Sequence, residues 1–333
     1  PEIWPRATAS MPLPGTAAAD SVVLTFEPRT GRARPVWASK DWTAGWSQLD
    51  LVPPDATTPQ LRAHSEEGQP STHEVRGGIA VAGVEIDWPE LCLWRPPTDN
   101  DGIQVGWLKG SGSLGRWRGW GLADLTPEAG AFRRRADGAI TRTVTWRGAT
   151  DDVVITHRCR VEIDPSGVTF HEQVDIPRHL ADLPRVGMTF DLPASQGRVE
   201  WMGLGPHETY PDRGLAQRRR WRSTVEDLYV DFVHPQEHGH RHATDWVAFG
   251  AGRRRLRIVA DRRFGWNASH HSLVSLTDAR HTVDLHPDEE VHVIVDIGHR
   301  GLGTASCGPD VLPRYLVVGG HHRWTWRIES WPR

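Results

Sequence analysis

Apolar residues recur at every second position along most of the chain, the spacing that places side chains on one face of a β-strand. In "VVITHRCRVEI", Val153, Ile155, Cys159, Val161 and Ile163 alternate with polar neighbours. "DPSG" then supplies turn chemistry, and Val168, Phe170, Val174 and Ile176 alternate again, which predicts a hairpin with one buried face. "EVHVIVDI" puts Val291, Val293, Val295 and Ile297 on one side, and "HHRWTWRIES" does the same with Trp324, Trp326 and Ile328. Helical spacing is scarce. "PPDATTPQLRAHSEEG" is broken by prolines, and "ASHHSLVSLTDARH", residues 268–281, has room for a short helix at most. An all-β architecture follows, a sandwich of many short antiparallel strands, and the 33 glycines and 25 prolines supply its turns.

The pattern also suggests where the chain divides. "DSVVLTFEP" and "SQLDL" read as two strands within residues 1–53, after which residues 54–72 form a polar, proline-rich linker. About 50 residues are half of an immunoglobulin-like sandwich, so residues 1–53 read as part of such a domain. Residues 73–333 form the main domain. The chain opens "PEIWPRATAS" without an initiator Met, so the expectation is that the natural N-terminus lies upstream.

Charge and cysteine content narrow the classes of partner. The formal net charge is -3, and the basic runs at 133–135, 218–220 and 253–255 have acids nearby, which argues against nucleic acid. No apolar run approaches the roughly 20 residues of a membrane span. Three widely spaced cysteines, Cys92, Cys159 and Cys307, argue for a reducing compartment, and a cytoplasmic location is expected. The 17 tryptophans are compatible with sugar stacking, although core filling is the commoner role of each.

Candidate chemistry is sparse. His238, His240 and His242 have H-x-H-x-H spacing, which would make a metal patch on one strand face. A turn at Gly239 would split the set instead, and no cysteine or second cluster completes a site, so no metal is expected. Acid pairs such as Asp99 with Asp101 or Glu208 with Asp212 lie on turns, where carboxylates usually accept backbone N–H bonds. In "LCLWRPPTDNDGI", Pro96 and Pro97 end a strand, and Asp99 or Asn100 can satisfy the turn that follows. The glycine-rich stretch 102–116 after it reads as a flap beside a stiff post.

Four motifs in order carry a family resemblance: "LWRPPTDND" at 93–101, "WMGLGPHETYPDR" at 201–213, "HPQEHGHRHATDW" at 234–246, and "FGWNASHHSLVSLTDARH" at 264–281 followed by "GLGTASCGP" at 301–309. The chain resembles the C-terminal region of the large bacterial β-galactosidases, glycoside hydrolase family two. The resemblance implies a large antiparallel supersandwich of the galactose mutarotase kind, preceded by an immunoglobulin-like domain. It implies retaining hydrolysis of terminal galactosides such as lactose by two glutamates on a TIM barrel, one in an Asn-Glu context. The two asparagines here, Asn100 and Asn267, are followed by Asp and Ala, so no catalytic residue is expected within this chain.

Asp99, Asn100, Asp101, Gly102, Ser306 and Cys307 would instead wall the substrate pocket of the parent enzyme. Cys307 stands where many relatives carry a tryptophan, and His238 stands for an asparagine. Magnesium and sodium would belong to the barrel, no cofactor to this chain, and the parent would be a homo-oligomer whose partner is the galactoside. An alternative on the same fold is a mutarotase-like epimerase using His238 with Glu237 or Glu208 as acid and base. A non-catalytic carbohydrate-binding module is a further one.

Overall fold

Asp164 and Ser166 close the expected "DPSG" turn: the Asp164 carboxylate accepts from the Ser166 amide at 2.8 Å and hydroxyl at 2.6 Å. The flanking strands pair antiparallel with Val161 opposite Phe170 and Ile163 opposite Val168, as the alternation predicts. The computed structural model describes residues 21–26, 45–50, 72–103, 112–252 and 254–331. It separates into two units, Pro1–Thr58 and Pro59–Arg333, with the division inside the stretch read as a linker.

In the first unit, β1 (Ser21–Phe26) and β2 (Gly45–Asp50) pair antiparallel. The rest of the expected immunoglobulin-like half and almost all of the linker lie outside the described residues. The second unit opens with a three-stranded sheet of β3 (His73–Val75), β4 (Gly78–Val81) and β5 (Val84–Asp87).

A 13-stranded sheet follows, antiparallel throughout. Its strands are β6 (Glu90–Cys92), β7 (Thr126–Ala129), β8 (Arg133–Arg134), β9 (Ile140–Arg147), β10 (Val154–Asp164), β11 (Gly167–Ile176), β12 (Arg185–Leu192), β13 (Arg198–Gly205), β14 (Gln217–Thr224), β15 (Arg241–Phe249), β16 (Leu256–Ser269), β17 (Val291–His299) and β18 (Gly320–Ser330). Among the described residues two α-helices interrupt them, α1 (Ser113–Trp120) and α2 (Leu273–Asp278). The second is the short helix expected within 268–281. The first corrects the reading of 102–116 as one glycine-rich flap: residues 113–116 begin a helix, and residues 104–111 lie outside the described residues.

The sheet folds over itself because β16 changes partners. Leu256–Ala260 pair with β18, whereas Gly265–Ser269 pair with β17. The core fills the space between the two branches. Trp326 on β18 stacks on Phe170 of β11 at 4.5 Å between centroids and on Phe190 of β12 at 5.8 Å. Trp117, Trp201, Trp266 and Trp326 are among the largest fully buried side chains, so these indoles are core filling.

The branch made of β12, β17 and β16 has two unlike faces. Val186, Met188 and Phe190 with Val293, Val295 and Trp266 point into the core. On the other face the register aligns Gly187 with Asp296 and Gly265, Thr189 with Ile294 and Asn267, and Asp191 with His292 and Ser269. This second face is polar, and loops cover part of it. Among the described residues no helix is long and apolar enough to cross a membrane.

Candidate functional site

Pro96 and Pro97 follow β6, and the chain then closes into a 3₁₀ turn at Asp99–Asp101. Thr98 and Asp101 form a reciprocal cap, with Asp101 Oδ2 accepting from the Thr98 amide and hydroxyl at 2.9 Å each. Gly102 ends the turn at φ 110°, a left-handed conformation that favours glycine. Asp101 is wholly buried and accepts from Arg95 Nη2 at 2.7 and 3.0 Å, while Arg95 Nη1 donates to the Arg300 carbonyl at 2.7 Å. Asp101 is thus the internal brace of the turn, and the half-buried Asp99 and Asn100 are its outward side chains.

Asn100 joins this turn to a loop some two hundred residues away. Its Nδ2 donates to the Gly303 carbonyl at 2.8 Å, and its Oδ1 accepts from the Ser306 amide at 3.1 Å and hydroxyl at 2.7 Å. Asp212 holds the same loop from beneath, accepting from the Leu302 amide at 3.0 Å and the Gly303 amide at 2.8 Å. Cys307 sits next to Ser306 and is exposed. Two stretches singled out in the sequence, 99–102 and 306–307, therefore meet at one corner.

Behind the corner lies a buried polar network that the sequence did not reveal. Glu237 accepts from Arg185 Nη2 at 2.8 Å, and its amide donates to the Pro96 carbonyl at 3.2 Å. Arg185 also reaches His299 Nε2 at 3.2 Å, and His299 lies 4.3 Å, ring to ring, from His240. His240 bonds the Thr209 carbonyl through Nδ1 at 2.9 Å and Asp296 through Nε2 at 3.3 Å. Gly265 makes room for this arrangement: a Cβ there would strike His240 Nε2 and Asp296 Oδ1.

Burial sets the electrostatics. His299 is pushed well below the usual imidazole range by burial, then by His240 and Arg185. Burial also pushes Asp296 up, but the charge and hydrogen bond of His240, with His299 and Arg185, hold its carboxyl below the usual value. Burial likewise raises the Tyr210 phenol far above its ordinary value, with Glu237 adding to the effect. Charges this deep persist because each has a partner of opposite sign.

The three residues weighed as an acid–base set have separate partners. Glu237 faces Arg185 and His299; Glu208 accepts from the Gly239 amide at 2.9 Å; His238 packs edge-on against Tyr229 at 4.8 Å. His238 is buried, which holds its imidazole down to about 4. Gly239 has φ 76° and turns the chain between His238 and His240, so His238 leaves the set, whereas the rings of His240 and His242 stack at 6.4 Å. Among the described residues no three His, Cys, Asp or Glu side chains converge as metal ligands do. The sequence signal for Asp296 was present in the alternation of "EVHVIVDI", but alternation alone reads it as facing solvent.

The family described as beta galactosidase small chain matches residues 61–328. The chain belongs to that family. Its curated relatives include a beta-galactosidase of Arthrobacter sp. (strain B7), 30% identical over 86% of this chain and 31% of that protein. One from Klebsiella pneumoniae (strain 342) is 29% identical over 93% of this chain and 32% of that protein, and one from Vibrio cholerae is 32% identical over 72% and 24%. The chain thus spans about a third of the length of the first of these relatives. Among solved structures, a putative aldose 1-epimerase from Escherichia coli K12 aligns over 60% of this chain and 68% of its own, with TM-score 0.32 and 10% identity. A galactose mutarotase-like protein from Clostridium acetobutylicum aligns over 78% and 94%, with TM-score 0.35 and 8% identity. Superpositions this loose add nothing to the small-chain assignment.

Proposed function

We propose that this chain is the C-terminal part of a retaining β-galactosidase acting on terminal β-D-galactosides such as lactose. Membership of the small-chain family supports the reading. The observation that carries the wall role is the Asn100 carboxamide, which ties the 99–102 turn to the Ser306–Cys307 loop and so gives one edge of the chain a fixed shape.

In this reading the acid/base and the nucleophile are glutamates supplied from outside these residues, and hydrolysis passes through a galactosyl-enzyme intermediate. The Asn100–Ser306 corner contributes binding contacts and keeps bulk water from the reacting bond, without moving a proton itself. Cys307, exposed at the rim, offers a smaller contact to the leaving group than a tryptophan would. Magnesium and sodium, which the family resemblance implies, belong in this reading to the catalytic barrel of the parent. The parent assembles as a homo-oligomer and works in the cytoplasm.

Two measurements test this. The purified 333-residue chain should show no turnover of a nitrophenyl galactoside; activity that stays with the chain through rigorous purification overturns the reading. Within the assembled enzyme, Asn100→Ala should lower kcat/KM by roughly tenfold with the catalytic glutamates intact. An unchanged kcat/KM would remove the corner from the pocket.

A further inference from the structure

A groove of about 640 Å3 runs along the polar face of β12, β17 and β16, and it shares no residue with the Asn100–Ser306 corner. Its floor is the register already described, Thr189 in line with Asn267 across β17, and Asp191 in line with Ser269. Its volume falls within the range of small-molecule sites. One wall carries Trp88 and Phe132, whose rings lie 4.8 Å apart at 34°. Phe132 is 41% exposed, unusual for so large an apolar ring, and Arg142 lies 4.7 Å over its face.

The floor offers hydrogen bonds. Asn267 is 5% exposed, and its Nδ2 donates to the His238 carbonyl at 2.7 Å, which fixes the amide. Its Oδ1 has no hydrogen-bond partner among the described residues. That oxygen is itself closed to solvent and faces the Gly239 turn, so Asn267 shapes the floor and presents no free acceptor to the groove. Thr189 and Ser269 add hydroxyls beside it. His292 is held between Asp191 at 2.7 Å and Asp288 at 2.8 Å, so the nearest charge on the floor is already matched.

An aromatic wall facing hydroxyls suits a ligand with one apolar face and several hydroxyls. Asp87 and Glu90 on the rim outnumber Arg142, and His292 is already paired with two carboxylates, so the groove disfavours an anion. We propose that this groove binds a neutral saccharide of one or two rings, stacked on the Trp88–Phe132 wall with its hydroxyls bonded to Ser269 and Thr189. The site concerns binding and not bond cleavage, so it stands whether or not the chain belongs to a galactoside hydrolase.

Titration calorimetry of the 333-residue chain with lactose and with maltose tests it. Binding on the order of millimolar is expected for at least one of the two. Trp88→Ala should weaken it about tenfold through loss of the stacking face. Thr189→Trp, which fills the groove from a half-buried position, should abolish binding without removing a core side chain. Circular dichroism melting confirms that each variant is folded, and Thr189→Trp decides alone should Trp88→Ala unfold. Absence of heat with both sugars overturns the proposal, as does unchanged affinity in a folded Thr189→Trp variant. Tighter binding of glucuronate than of either neutral sugar overturns the assigned ligand class. Hydrolysis is not read, so failure here leaves the pocket-wall reading untouched.

Discussion

His238 and His242 show what burial does to a single side chain and to the stability of the whole. Burial holds both imidazoles down to about 4; Glu237 opposes this at His238, and His240 reinforces it at His242. An unfolded imidazole titrates near 6.5, so between pH 6.5 and 4 the unfolded chain binds more protons than the folded one. Stability therefore falls as the pH drops through that window, by about 3 kcal/mol for each residue. His292 has the opposite sign. Its bond to Asp191 raises its value, so its contribution is complete below 6.5 and fades as pH rises through the folded value. Urea unfolding across this range should show the acid-side loss, and His238→Gln should remove close to half of the part due to these two histidines. An identical pH slope in that variant would show that His238 is not held neutral by the fold. The spacing H-x-H-x-H flagged these residues in the sequence. The burial that holds His238 and His242 neutral was not legible there, because it depends on the left-handed Gly239 and on the way the surrounding chain covers them.

Among elements, the β10–β11 hairpin was legible because its turn chemistry and its alternation agree. Helix α1 was not, since "SLGRWRGW" contains two glycines and a weak apolar repeat. What signal there was consists of Leu114 and Trp117, three apart and both buried, with Gly121 closing the helix in the left-handed conformation. Trp117 Nε1 donates to the Asp182 carbonyl at 2.7 Å, so tertiary contact supplies what propensity does not. The polar face of β12, β17 and β16 was half legible: alternation identified it, but could not tell that loops bury Asp296 beneath it. Two glycine substitutions separate the roles of these elements. Gly265→Ala on β16 would drive a methyl into His240 and Asp296 and should cost ~1–3 kcal/mol or more. Gly119→Ala within α1 meets nothing within 4 Å and should stabilise by about 0.5–1 kcal/mol. Thermal melts of the two variants should shift in opposite directions. A neutral Gly265→Ala would mean that the buried network has slack which the geometry does not show.

At the scale of the whole molecule, the corner exists because the sheet closes. In the folded chain Asn100 and Ser306 meet where β12, β17 and β16 pair and where Asp212 holds the amides of Leu302 and Gly303. Sequence motifs marked both stretches through family resemblance, yet nothing local to either says that they touch; a long-range hydrogen bond leaves no periodic trace. Amide hydrogen exchange can read this closure bond by bond. In Asn100→Ala the Ser306 amide loses its acceptor, and its exchange should quicken about fivefold to tenfold, as expected for a bond contributing ~1 kcal/mol. Asn100→Asp separates the two halves of the clamp. A carboxylate still accepts from Ser306, so that amide stays protected, but it faces the Gly303 carbonyl oxygen with no donor and should push the loop outward. Leu302 and Gly303, held by Asp212, should exchange slowly in Asn100→Ala, and the β10–β11 ladder should be unaffected in both variants. If Ser306 exchanged at the parent rate in Asn100→Ala, the loop would be ordered by Asp212 and by Arg300 with Asp310 alone, and Asn100 would no longer be the residue that gives the edge its shape.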